Sequence, residues 1–230
     1  MSLGCGVNST ALLILKSQGK LQFDHAIFAD TGGENPETYQ YLHDVITPFC
    51  KEYNIELHII KSNLPPLREY YIEKKIIPTR RFRHCTSKYK IRPLTKFCAT
   101  QFPSEKIEFI VGIANDEAHR AKIGYGNIYP LVDMGIDREG CKQLILDAGL
   151  PLPIKSGCYF CPFTPKNGWI NLLENHHDLF LKAEELEKSG KRYPRMTLTN
   201  KTLESVRKSK EDQTSLCDYT GSCVFCEVSS

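Results

Sequence analysis

The positions best placed for chemistry are two cysteine pairs, Cys158-Tyr-Phe-Cys161 and Cys223-Val-Phe-Cys226. Each pair can present two sulfurs to one metal centre, and two pairs supply four tetrahedral ligands. Cys85 is a fifth candidate. The donor set is compatible with a structural Zn²⁺ site, with a [4Fe–4S] cluster, which also needs four thiolates, or with metal-free redox chemistry of a Cys-x-x-Cys pair. Ten cysteines in a chain without a secretory-signal pattern argue for thiolate or metal chemistry over a disulfide scaffold. Cys50, Cys98 and Cys141 fall in helix-like apolar patterns and read as inert core residues. Cys5 sits in a glycine-rich loop, and Cys217 is a spare.

Cys85 lies inside a second chemical feature. Nine lysines and arginines occupy residues 74–96 with no Asp or Glu among them, although the whole chain has a formal net charge of only +3. A local excess of cation of this size either forms a solvated basic loop or faces an anion, and Lys88, Lys90 and Arg92 are the candidates for gripping a phosphate or sulfate. Arg80, Arg81, Arg83 and Tyr89 interleave cation with aromatic, as single-stranded nucleic-acid binders do. His84 adjoins Cys85, whereas His176 and His177 read as a solvated helix face.

These residues need a scaffold. Gly4, Gly6, Asn8, Ser9 and Thr10 form a small-residue loop followed by the apolar run Ala-Leu-Leu-Ile-Leu, which reads as a buried helix. A loop of this kind offers unpaired N–H groups and a positive helix end to phosphate. It is not a Walker loop, because no Gly-Lys-Ser/Thr follows. The short apolar run Ala26–Ala29 reads as a buried parallel strand ending in Asp30-Thr31-Gly32-Gly33. In open α/β sheets, ligands collect at such carboxyl ends.

The wider pattern predicts a strand, loop and helix over 1–18, a strand at 25–29, a helix at 36–53 and a strand at 55–61. A helical stretch follows near 67–75, then a helix at about 91–102, a strand at 107–113 and a helix at 137–149 capped by Asp137 and Gly149. Alternating strands and helices imply an α/β fold with a doubly wound, mainly parallel sheet. Residues 1–150 are expected to form a nucleotide-binding domain, and 151–230 a cysteine-rich, mostly helical metal-binding appendage. No apolar stretch reaches the roughly 18 residues needed to span a membrane, so a cytoplasmic protein is expected.

Taken in order, four motifs resemble the PP-loop superfamily of adenine-nucleotide α-hydrolases, in particular the phosphoadenosine-phosphosulfate (PAPS) reductase family. Gly4–Thr10 stands where that family has Ser-Gly-Gly-x-Asp-Ser. Asp30-Thr31-Gly32 with Pro36-Glu37-Thr38 is similar to its Asp-Thr-Gly…Pro-Glu-Thr strand end. His84–Leu94 resembles the segment that begins with paired cysteines in adenylyl-sulfate reductases. Gly112, Asp116, Glu117 and Arg120 resemble a Gly-Ile-Arg…Asp-Glu…Arg element beside the nucleotide. The departures are Gly4 for serine, Asn8 for aspartate, Ala114 for arginine, a single Cys85, and a Cys-Val-Phe-Cys-Glu ending in place of a Glu-Cys-Gly-Leu-His-type tail.

The resemblance implies ATP with Mg²⁺ as the bound nucleotide, cleaved to AMP and pyrophosphate to adenylate a substrate for sulfur transfer or nucleic-acid modification. It places the pyrophosphate at Gly4–Thr10 and the adenosine near Asp30 and Gly112. Asp116, together with Glu117, is the expected Mg²⁺ ligand, and Arg120 the expected nucleotide contact. Ser9, Lys88, Arg92 and Cys226 are the expected catalytic residues, and Cys85, Cys158, Cys161, Cys223 and Cys226 the metal ligands, for a [4Fe–4S] cluster or Zn²⁺. Expected partners are the nucleotide, a tRNA or DNA substrate, a sulfur-donor protein and a second copy in a homodimer. The alternatives are a reductase of adenylyl sulfate or PAPS and a non-catalytic, zinc-containing nucleic-acid-binding module.

Overall fold

The run Ala11–Leu15 is buried almost completely, and it forms the heart of α1 (Val7–Ser17). This helix follows a very short strand, β1 (Ser2–Leu3). The computed structural model describes residues 1–81, 83–122, 126–190, 195–197 and 201–210. Cys217, Cys223 and Cys226 lie outside the described residues.

Strand β2 (His25–Asp30) is the middle strand of a three-stranded parallel sheet in the order β1-β2-β3, with β3 at Glu56–Lys61. Ala26, Ile27 and Phe28 of β2 are all buried, as expected of a strand covered on both faces. Ala26 and Phe28 face the core built on α1, whereas Ile27 faces a cavity lined by Leu94, Cys98 and Phe102. These three residues belong to, or immediately follow, α5 (Arg92–Gln101). Helices on the two faces give the expected doubly wound α/β character.

The segment expected as one helix at 36–53 is divided into α2 (Pro36–Tyr41), a π-turn (Leu42–Ile46) and α3 (Thr47–Glu52). Pro48, which has no N–H to donate, sits just past the π-turn, where its ring disfavours a regular i→i−4 ladder. A second π-turn, Thr86–Ile91, leads into α5 one residue ahead of Pro93. The predicted strand over 107–113 is shorter. Only Phe109–Ile110 (β4) forms a ladder, and its parallel partner is β5 (Asn127–Ile128), in a separate two-stranded sheet. A 3₁₀ segment (Asn115–Arg120) and the short α6 (Pro130–Asp133) precede α7 (Arg138–Asp147). The expected caps of α7 are present: Asp137 Oδ1 accepts the Gly140 N–H at 2.8 Å, and Gly149 has φ 70°, the left-handed turn that glycine adopts without strain.

The chain divides into two compact units, one of residues 1–67 and 84–158 and the other of 68–83 and 159–230. The first contains both sheets. In the second, α4 (Leu67–Lys74) joins α9 (His177–Ser189) through Arg68, whose Nε donates to the Lys182 carbonyl at 3.2 Å and whose guanidinium pairs with Glu185. The second unit also holds α8 (Lys166–Asn175) and a helix over 203–210. Buried Glu187 ties these pieces together by accepting the N–H groups of Met196 at 2.6 Å and Leu203 at 2.7 Å. No helix among the described residues is long and apolar enough to cross a membrane.

Candidate functional site

The loop between β1 and α1 is stapled by one hydroxyl. Ser9 Oγ accepts the N–H groups of Gly4 at 3.3 Å and Gly6 at 3.2 Å and donates to the Gly6 carbonyl at 3.1 Å. Thr10 Oγ1 donates to the same carbonyl at 3.0 Å. Two backbone donors thus converge at the amino end of α1 on an oxygen, as they would on a phosphate oxygen. Between the glycines, Cys5 is held at φ 51°, a sparsely populated conformation for a residue with a side chain. Burial pushes its thiol up to about 12, helped by Glu34 and opposed by Lys90, so Cys5 is a filler and not a nucleophile.

Gly112 closes on this loop from β4. Its carbonyl accepts the Asn8 side-chain amide at 3.2 Å. A Cβ at position 112 would lie 3.2 Å from the Ser9 nitrogen and 3.3 Å from the Asn8 carbonyl carbon, so any larger residue would push the two backbones apart by a few tenths of an ångström. The Asn8 Oδ1 atom is buried and has no hydrogen-bond partner among the described residues. An amide suits position 8, since an aspartate would set a carboxylate oxygen against the Gly112 carbonyl.

At the end of β2, Asp30 is spent on structure. Its Oδ1 accepts the Gly32 N–H at 2.8 Å and the Tyr39 hydroxyl at 2.6 Å, and its Oδ2 pairs with Lys61 at 3.4 Å. Burial, with Asp30 alongside, holds the Tyr39 phenol well above its ordinary range. Asp30 therefore fixes the strand-end loop. Gly32 takes φ 71° there, with Pro66 against it.

One step further along the loop lies a charged and sulfur-bearing cluster. Thr31 Oγ1 donates to Glu34 Oε1 at 3.1 Å and lies 3.3 Å from Cys158 Sγ. A backbone bridge pairs Glu34 with Cys158. The Glu34 side chain is only 2% exposed, and half-buried Lys90 meets it at 3.2 Å. Burial works against the Lys90 charge, but Glu34, Cys158 and Cys85 outweigh it and hold the ammonium above its usual range. Cys85 and Cys158, far apart in sequence, are thus both within electrostatic reach of one lysine.

The basic segment divides. Lys90 points inward to Glu34, while Lys88 and Arg92 line a cavity of 510 Å³ together with Lys61 and Lys96. That volume is within the range of small-molecule sites. Arg83, by contrast, belongs to the second unit, where its guanidinium stands 5.5 Å from the centre of the Phe163 ring. Asp116 and Arg120 also have local work: Asp116 Oδ1 accepts the Arg138 N–H at 3.0 Å, bracing the start of α7, and Arg120 pairs with Glu117 at 2.6 Å. Cys158 falls in the first unit and Cys161 in the second. Cys223 and Cys226 are outside the described residues, so the expected four-sulfur set is not assembled within them. Cys50, Cys98 and Cys141 are buried, and burial raises all three thiols, to about 11 for Cys50 and about 12 for Cys141.

Sequence reasoning passed over Glu34, Lys61, His25, Glu56 and His58. Glu34 and Lys61 flank recognisable motifs, but their pairing arises only when the chain folds.

Residues 1–142 match the family described as the phosphoadenosine phosphosulfate reductase domain. Among curated proteins, the uncharacterized protein MJ0973 of Methanocaldococcus jannaschii is 27% identical over 177 residues, covering 68% of this chain and 39% of that protein. The uncharacterized nin region protein ORF290 of Escherichia phage lambda is 27% identical over 161 residues, covering 60% of this chain and 55% of that protein. The chain thus spans between two-fifths and somewhat over half the length of these relatives. A crystal structure of phosphoadenylyl-sulfate (PAPS) reductase from Candida auris, in a phosphate complex, aligns with TM-score 0.45 and 19% identity, over 66% of this chain and 73% of that one. With the family match covering more than half its length, the chain belongs to the phosphoadenosine phosphosulfate reductase domain family, within the PP-loop, adenine-nucleotide α-hydrolase-like superfamily.

Proposed function

We propose that the first unit binds ATP at the Gly4–Thr10 loop and cleaves it between the α- and β-phosphates to adenylate an acceptor. The observation that carries this reading is the convergence of Gly4 N–H, Gly6 N–H and the α1 amino end on Ser9 Oγ, with Gly112 pressed against the same turn. An incoming phosphate oxygen would take over the donors that Ser9 now satisfies. An acceptor oxygen forms the new bond to the α-phosphorus while the bond to the bridging oxygen breaks. Pyrophosphate leaves with that electron pair, and the acceptor's proton passes to solvent. Negative charge grows on phosphate oxygens during the step, and N–H groups and cations already in place stabilise it without reorganisation. Lys88 and Arg92 are the cations proposed for this role; they line the cavity with Lys61, which pairs with Asp30 at the carboxyl end of β2, whereas Lys90 is committed to Glu34.

Asp116, which also accepts the Arg138 N–H, and Glu117, which pairs with Arg120, are the carboxylates proposed to hold Mg²⁺. The Cys85 and Cys158 thiols beside Lys90 suit a soft metal centre, with Cys161, Cys223 and Cys226 as further donors. A [4Fe–4S] cluster would supply electrons or hold sulfur, and Zn²⁺ would supply structure. A tRNA or DNA acceptor, a sulfur-donor protein and Cys226 as a tail nucleophile belong to the same proposal.

A second reading, reduction of a sulfonucleotide, is favoured by Cys85 and Cys158 sharing Lys90. The two readings are separated by equilibrium binding of ATP and of adenylyl sulfate to anaerobically purified protein, with pyrophosphate release followed in parallel. The first reading expects ATP binding with pyrophosphate release reduced on the order of 100-fold or more in Ser9→Ala. Unchanged turnover in that variant removes the loop from catalysis. Exclusive binding of adenylyl sulfate transfers the site to the reductase reading.

A further inference from the structure

At the amino-terminal ends of β2 and β3, the ends opposite Asp30 and Lys61, three side chains with lone pairs converge. His25 opens β2 and Glu56 opens β3, directly opposite each other in the parallel register, and His58 follows two residues later opposite Ile27. Alternation along the strands puts all three on the sheet face that Ile27 shows to the Leu94 and Cys98 side. His58 Nε2 lies 3.2 Å from His25 Nδ1. Glu56 Oε2 is 3.1 Å from His25 Nδ1, and Glu56 Oε1 is 3.4 Å from His58 Nε2.

Without a metal, the two neutral rings can each donate an N–H to one oxygen of Glu56, which leaves the two N–H groups facing each other across 3.2 Å. A divalent ion between the three side chains would instead take a lone pair from each ring and from the carboxylate together. Bonds of about 2.0–2.2 Å in a tetrahedral shell put neighbouring donor atoms about 3.3–3.6 Å apart; the two ring nitrogens are 3.2 Å apart, with one Glu56 oxygen 3.1 Å from the first and the other oxygen 3.4 Å from the second.

The surroundings hold the donors without sealing them. The Phe102 ring centre is 4.5 Å from that of His25, and the Phe97 ring centre is 4.8 Å from that of His58, which restricts both imidazoles. The His25 and His58 side chains are 26% and 21% exposed, and Glu56 is 64% exposed, which leaves a path for an ion and room for a water as fourth ligand. Among the described residues, this is the one group of three or more His, Cys, Asp or Glu donors close enough to share an ion.

We propose that His25, Glu56 and His58 form a binding site for a divalent transition-metal ion of the Zn²⁺ class, distinct from the cysteine set. Two imidazoles and one carboxylate select Zn²⁺, Co²⁺ or Ni²⁺ over Mg²⁺ and Ca²⁺, which prefer all-oxygen shells. The ion clips the start of β2 to the start of β3. It lies roughly 17 Å, the length of a six-residue strand, from the nucleotide end of the sheet. Its role is therefore to stabilise the sheet, outside the chemistry at the loops.

The test uses untagged full-length protein stripped with chelator and titrated with Co²⁺. A sulfur-bound cobalt shows an intense thiolate-to-metal band in the near ultraviolet, whereas a nitrogen and oxygen shell shows only the weaker visible bands. The expected result is a cobalt species without the sulfur band, kept in Cys158→Ser and bound at least tenfold more weakly in Glu56→Gln and His58→Gln. Glu56 is exposed, so its variant carries the test if His58→Gln does not fold. Absence of a cobalt species lacking the sulfur band, or unchanged affinity in Glu56→Gln, overturns the assignment.

Discussion

Replacing Lys90 with methionine removes the cation facing Glu34 while keeping an unbranched side chain of similar reach. At 3.2 Å and an effective dielectric constant near 20, the pair attraction is about 5 kcal/mol. Lys90 is 43% exposed, so solvent screens it, and part of the attraction only offsets the cost of burying Glu34. A net loss of about 2–4 kcal/mol is expected, because the variant strands a carboxylate that is 2% exposed and leaves it to the Thr31 hydroxyl. For a chain of this size, that is a drop in Tm of about 4–16 °C. Urea denaturation followed by far-ultraviolet circular dichroism measures it, in a cycle with Glu34→Gln and the double variant. The double variant should recover most of the loss, because the uncompensated charge is gone. A coupling energy below about 0.5 kcal/mol, the level of an exposed pair, refutes the reasoning.

Gly112→Ala would push a methyl group into the Asn8–Ser9 backbone at 3.2–3.3 Å, costing about 1–3 kcal/mol in stability and weakening nucleotide affinity in an equilibrium titration. A short alkylation pulse at pH 8, read by peptide mass spectrometry, should label half-buried Cys85, Cys158 and Cys161 before buried Cys5, Cys50 and Cys141, whose thiols are raised to about 11–12. Glu187 is held above its ordinary range by burial, against the two N–H groups that favour its charge. Its contribution is therefore fully present below about pH 4.3, the unfolded carboxyl value, and is lost as pH rises through the higher folded value. Relative to Glu187→Gln, the parent should lose stability as pH rises above about 4.3; a pH-independent difference between the two in urea denaturation contradicts this.

Much of the first unit was legible because its signals are local. The glycine–serine loop abuts an unbroken apolar run, and α1 follows at once. Strand β2 lies within a residue of its expected span, and Asp137 and Gly149 cap α7 as their types predict. The misreadings come from partners distant in sequence. The stretch 107–113 looks like a full strand, but its ladder length is set by Asn127–Ile128, a pair with no strand signature of its own. Lys88, Lys90 and Arg92 look equivalent in sequence, yet Lys90 pairs with Glu34 while the other two border the cavity. Asp30 and Asp116 resemble nucleotide-binding motifs in sequence, but their contacts to Tyr39, Lys61 and the Arg138 N–H emerge only in the fold. His25 and His58 gave no signal, because they meet only through the register of β2 on β3.

The second unit is drawn from two stretches of chain, 68–83 and the residues from 159 onward, with about 75 residues of the first unit synthesised between them. At ribosomal rates of about 5–20 residues per second, Arg68 waits roughly 6–23 s before Glu185 of α9, 117 residues later, exists to receive it. During that interval the buried aromatics of the earlier stretch, Tyr70 and Tyr71, are without the later half of their unit, while the first unit has nearly all of its own sequence. The order of assembly in the cell follows from this. The first unit has its sequence available first, and the second can be completed only as the last third of the chain leaves the ribosome, so 68–83 is the segment left longest without its partners.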